Sequence, residues 1–176
     1  MATAKKTASR PAAAKKTAAG APTDAIKLLT ADHAEVKQLF KQYEKLAEDD
    51  ADAEERQDLA EQICMMLTVH ATIEEEIFYP AAREALDDQP LLDEAEVEHA
   101  SAKDLIAQIQ DMDPDEELYD AKVKVLGEYI NHHVQEEEGE MFPQCKSAKL
   151  DLAALGAEMA ARKQELLSEM GEPAAE

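Results

Sequence analysis

Two segments of the chain repeat one pattern of chemistry-bearing residues. In HATIEEEIFYP (residues 70–80) and again in HVQEEEGEMFP (residues 133–143), a histidine is followed by glutamates at +4 and +5 and by a proline at +10. Residues four apart share a helix face. His70 with Glu74, and His133 with Glu137, therefore each aim an imidazole nitrogen and a carboxylate oxygen at one point. His33 and His99 precede these pairs by 37 and 34 residues. Each of the four histidines falls on an apolar stripe: Ile26, Leu29, His33, Val36, Phe40; Ile63, Met66, His70, Glu74, Ile77; Leu92, Ala95, His99, Ala102, Ile106; Leu126, Ile130, His133, Glu137, Met141. A single histidine on such a stripe is ordinarily a core residue with a satisfied hydrogen bond. Two glutamates on inward stripes are a different matter, because an unpartnered buried carboxylate costs several kcal/mol.

Metal coordination removes that cost. Four imidazoles and two carboxylates exceed the four ligands of a closed tetrahedral zinc site. They suit two metals that share Glu74 and Glu137 as bridges, with a coordination position left for an exogenous ligand. Mixed imidazole and carboxylate donors of this kind favour iron or manganese, and iron better serves redox use. The Glu-x-x-His spacing of ferritin-type carboxylate sites occurs once, at Glu96 to His99, and neither His70 nor His133 has a glutamate three residues before it. H-E-x-x-H, G-x-S-x-G, P-loop and G-x-G-x-x-G motifs are absent.

The elements that must position these residues are helices. The stripes predict helices over about 24–48, 53–79 and 90–111, and a fourth that Asp113-Pro114 would open as N-cap and first residue. Pro80 and Pro143 are expected to kink or end their helices. A fifth amphipathic segment, about 150–170, has no histidine and is read as a cap on the bundle or a self-association surface. Short connections between long helices imply an all-α, up-down-up-down four-helix bundle built as a duplicated helical hairpin. The expected organisation is a disordered Lys/Ala-rich tail at 1–22, the bundle at 23–147, and a C-terminal helix and tail at 148–176.

Composition agrees with helix: aromatics are 4% of 176 residues, and Gly and Pro number five and seven, too few for a turn-rich β protein. The net charge is −22, but residues 1–20 carry five basic side chains and no acid, leaving 13 basic against 40 acidic, a net of −27. Such a body repels nucleic acid and anionic membrane, so no specific nucleic-acid partner and no membrane association are expected. The basic tail is read as a solvated leader, with weak polyanion contact as the alternative. Cys64 and Cys145, without a C-x-x-C, read as reduced buried thiols in a cytoplasmic protein.

The pattern resembles the hemerythrin-like, HHE cation-binding domain over about 24–146. The residues carrying the resemblance are Asp32-His33, the H-x-x-x-E-E segment ending in Phe-Tyr-Pro80, Glu98-His99, and the H-x-x-x-E-E segment ending in Met-Phe-Pro143. It implies a four-helix bundle with a non-haem di-iron centre, ligated by His33, His70, Glu74, His99, His133 and Glu137. Oxygen-carrying members have a second histidine where Lys103 stands and an aspartate where Glu138 stands, so reversible oxygen carriage is not the expected main role. The expected role is binding or sensing O2, NO or peroxide, or handling iron. The alternatives are a di-iron enzyme, for peroxide removal or repair of damaged iron centres, and a regulatory metal-sensing module. Among lesser residues, His132 is expected off the site, Glu75 and Glu138 solvated or just behind the ligands, Lys103 solvated, and Tyr129 in the core.

Overall fold

The computed structural model describes residues 24–171. The expectations for the tail at 1–22 lie outside these residues. The described chain forms α1 (Ala25–Glu48), α2 (Ala53–Ile73), α3 (Tyr79–Ala85), α4 (Gln89–Gln110), α5 (Tyr119–Glu136), α6 (Phe142–Ser147) and α7 (Leu152–Gly171). Local capping sets the starts of the first two. Asp24 accepts the Lys27 backbone N–H at 2.9 Å, and Asp52 accepts that of Glu55 at 2.9 Å. The fourth long helix starts later than the sequence suggests. Asp113 is spent in a local turn, accepting from the Asp115 N–H at 3.0 Å, and Glu116 accepts from the Asp113 N–H at 2.9 Å. Short polar side chains that bond the nearby backbone offer it an alternative to helix, so α5 begins only at Tyr119.

The hairpins α1–α2 and α4–α5 pack together through α1 against α5 and α2 against α4, closing a four-helix bundle. Its core falls into two apolar clusters. One contains Leu29, Ile73, Phe78, Leu92, Met141 and Phe142; the other contains Val36, Ile63, Leu67, Ile106, Val123 and Leu126. Among the described residues the buried polar side chains are Asp32, His33, Glu74, His99, His133 and Glu137, five of them predicted ligands. α7 packs on α1 and α2, so the fifth helix caps this chain's own bundle. Cys64 and Cys145 are buried free thiols. No helix of the described residues is long and apolar enough to cross a membrane.

Neither proline ends its helix. α2 runs into a π turn at Glu74–Phe78 before α3, and α5 into another at Glu137–Met141 before α6. The Tyr79 N–H bonds the Glu74 carbonyl and the Phe142 N–H bonds that of Glu137, each reaching back five residues rather than four. This has a directional consequence. At about 100° per residue, the position nine after a histidine lies half a turn away on a regular helix. One inserted residue makes it equivalent to the eighth and brings it within about 80° of the histidine. Tyr79 and Phe142 are those positions.

Gly156 sets how closely α7 lies on the start of α1. A Cβ there would stand 2.6 Å from the Ala25 nitrogen and 2.6 Å from the Asp24 carbonyl carbon, backbone atoms that cannot rotate away. Gly156→Ala should cost about 1–3 kcal/mol in chemical denaturation. Gly139→Ala, where a Cβ meets nothing within 4 Å, should be neutral or stabilise by up to about 1 kcal/mol.

Candidate metal centre

All six predicted residues meet between the two apolar clusters. Their ligating atoms fall into two groups that share Glu74. One holds His33, His70, Glu74 and Glu137, and the other Glu74, His99 and His133. The Nε2 atoms of His33 and His70 face each other at 3.1 Å, as do those of His99 and His133. Glu74 spans the groups, with Oε1 3.1 Å from His70 Nε2 and Oε2 3.3 Å from His99 Nε2. Glu137 Oε2 lies 3.2 Å from His33 Nε2 and 3.7 Å from His133 Nε2.

Behind each imidazole stands a carboxylate. Asp32 holds His70 Nδ1 at 3.3 Å and Glu98 holds His133 Nδ1 at 2.7 Å. Glu75 holds His99 Nδ1 at 2.8 Å and Glu138 holds His33 Nδ1 at 2.9 Å. The sequence carries a signal for this: each holder is the chain neighbour of a predicted ligand, placed to reach the imidazole of another helix. Lys103 is not idle in solvent, since its ammonium grips Glu75. Tyr129, by contrast, is 50% exposed and not in the core. His132 is 62% exposed and lies outside the centre, near Glu98 and Glu136. Sequence reasoning missed Tyr79. Its hydroxyl donates to Glu137 Oε1 at 2.8 Å and lies 3.1 Å from His99 Nε2.

The donor set suits a cation. An ionised carboxylate only accepts, so each Nδ1 carries the ring proton and each neutral imidazole turns its Nε2 lone pair inward. Two lone pairs 3.1 Å apart repel unless a proton or a metal lies between them. Both oxygens of Glu74 and Oε2 of Glu137 are buried without a hydrogen bond. In the protein alone, protons meet part of this need. Burial pulls the His70 pKa down, but the Glu74 charge, the Asp32 and Glu74 contacts and Glu137 outweigh it and push it up to about 10. Burial likewise opposes the Glu98 hydrogen bond and the Glu137 and Glu74 charges at His133, which end with it at about 8. His70 and His133 thus each hold an extra proton at neutral pH. Glu74 is kept well below the usual carboxylate range; its burial is outweighed by the His70 charge and the close approach of His70 and His99. Burial and the charges of Glu74 and Glu137 hold the Tyr79 phenol well above its ordinary value, so it remains a donor.

A proton count follows. A metal ligated by His70 and His133 would displace their protons, so its uptake at pH 7 should release about two protons per chain. Affinity should climb steeply with pH below about 8, where both histidines compete, and more gently from about 8 to about 10, where only His70 does. An indicator-dye titration of metal-free protein in unbuffered solution reads this directly.

Bundle and site together define a helical protein with paired histidines and shared glutamates grouped as a candidate cation site. The chain matches the Hemerythrin HHE cation binding domain model over residues 24–145 and belongs to that family. The fold is similar to the crystal structure of a hemerythrin HHE cation binding domain-containing protein from Mycobacterium kansasii, with TM-score 0.69 and 26% identity over 83% of this chain and 88% of that one. A relative from Nostoc sp. (strain PCC 7120), named DNA nickase, is 32% identical over 114 residues. Those residues are 63% of this chain, which spans only 30% of that relative's length.

Proposed function

We propose that the chain is a non-haem di-iron protein of the hemerythrin-like class whose centre binds O2, NO or peroxide. The observation carrying this reading is the pair of facing Nε2 dyads together with three buried carboxylate oxygens that lack hydrogen bonds. His33, His70, Glu74, His99, His133 and Glu137 would hold two ions, with Glu74 and Glu137 between them. The bound metals would supply an open coordination position and reversible one-electron chemistry. The chain supplies the rest. Four acidic side chains fix the ring orientations. A cavity of about 30 Å³ beside the histidines is walled by Val36, Leu67, Ala102, Ile106, Ile130 and Val134. It has room for a water- or diatomic-sized guest and keeps bulk water off the imidazoles.

A second reading, peroxide removal, draws on Tyr79. Its phenol keeps a hydrogen-bond donor at the centre, 2.8 Å from Glu137 Oε1, where it would orient a bound peroxide. Strand scission is not carried over from the nickase relative, since the acidic body repels a polyanion.

The test is aerobic purification, elemental analysis and absorption spectra with azide and with peroxide. About two irons per chain and azide-sensitive ligand-to-metal bands are expected. Rapid O2 evolution from peroxide would select the enzyme. A folded chain that takes up no transition metal ends the proposal.

A further inference from the structure

α7 lies along the outside of α1 and α2 and sets two cations on acidic side chains, Arg162 on exposed Glu76 and Lys163 on Asp32 behind His70. Arg162 grips Glu76 through two hydrogen bonds of 2.7 and 3.2 Å. Lys163, one residue on, donates to Asp32 Oδ1 at 2.5 Å. Asp32 is 8% exposed, and its second oxygen is the one that holds His70 Nδ1. The order Lys163, Asp32, His70 thus runs unbroken from the fifth helix to a metal-facing nitrogen. In the other hairpin the cation behind the site is Lys103 of α4, which holds Glu75 behind His99, and it does not come from the fifth helix. There Glu98 does for His133 what Asp32 does for His70, and its remaining oxygen faces exposed His132 at 3.4 Å.

Resting on the di-metal reading above, we infer that Lys163 is a positioning residue for the centre, through which metal retention and docking of the fifth helix become one linked equilibrium. A buried carboxylate with one partner must find another for its second oxygen. With Lys163 in place that partner is fixed, Asp32 has one orientation, and the His70 ring has one as well. Without it Asp32 turns toward water and His70 loses the contact that sets its ring plane. The coupling is reciprocal: whatever α7 does for metal binding, bound metal does for α7. Met159, fully buried, and the close approach at Gly156 keep α7 seated independently of the ammonium. Lys163→Met preserves the apolar stem and tests the charge alone.

The experiment loads the full-length chain with iron(II) without oxygen and follows its loss to a coloured chelator. Lys163→Met should release iron about tenfold faster than the parent, with Lys163→Arg restoring most of the retention. In an Asp32→Asn background the same Lys163→Met change should add less than about twofold, because an asparagine there has a single acceptor oxygen and cannot accept from Lys163 and from His70 Nδ1 at once. In hydrogen exchange, metal should slow the amides of residues 160–168 in the parent and much less in Lys163→Met. The inference is overturned if Lys163→Met holds iron like the parent. It is equally overturned if the loss factor is unchanged by Asp32→Asn, which would make Lys163 only a clamp on α7, or if metal leaves α7 exchange unaltered. A parent chain that takes up no iron overturns this inference and the di-metal reading together. A parent that loads fully beside an unaffected Lys163→Met overturns this one alone.

Discussion

Glu74→Ala is expected to lower bound metal from the two ions per chain proposed above to less than one. The reason is geometric. Glu74 has one oxygen 3.1 Å from His70 and the other 3.3 Å from His99, so it serves both halves at once. His70→Ala removes a ligand from one half only and should lower metal content less. His132→Ala, on a side chain 62% exposed and outside both groups, should leave it unchanged. Elemental analysis of gel-filtered protein reads all three. Near-equal loss in His70→Ala and His132→Ala would overturn the choice between Glu74-facing and solvent-facing histidines.

Metal should also govern thermal stability. At free metal about a thousandfold above Kd, each ion that binds only the folded state contributes about 4 kcal/mol. Two ions give about 8 kcal/mol, which in a chain of this size raises Tm by roughly 15–30 °C. Part of the effect is relief of a defect in the protein alone, where both Glu74 oxygens and Glu137 Oε2 lie buried without hydrogen bonds. Scanning calorimetry of loaded and chelator-treated protein measures it. A shift below about 5 °C would mean that the folded chain gains almost nothing from the ion.

The bundle and the six inward side chains were legible because both rest on one period. Steps of three and four place Ile26, Leu29, His33 and Val36 on one side of α1 whatever surrounds them, and the same rule puts Glu74 beside His70. What lay beyond reach is what departs from that period. Tyr79 is nine residues after His70, half a turn off on a regular helix, and only the π turn at Glu74–Phe78 brings it round. Prolines at 80 and 143 signalled a disturbance but not its kind. Asp113-Pro114 misled for a related reason, since a side chain able to cap a helix can equally close a turn. The acids behind the histidines were present as neighbours of the ligands, but pairing Glu75 with His99 and Glu138 with His33 requires the contact between hairpins. Lys163 belongs to the fifth helix, whose docking surface no spacing within it reveals.

The two hairpins also differ in what the residue nine after His70 or His133 brings to the centre. Tyr79 and Phe142 are equivalent by position. The phenol hydroxyl of one points at His99, His133 and Glu137, while the ring of the other stacks on His33 with centroids 5.9 Å apart. An internally repeated protein would otherwise offer a pair of indistinguishable berths, filled at random. A lone oxygen lifts that degeneracy. A half-loaded sample should therefore be a single species with a preferred occupant, and successive electrons should enter at different potentials.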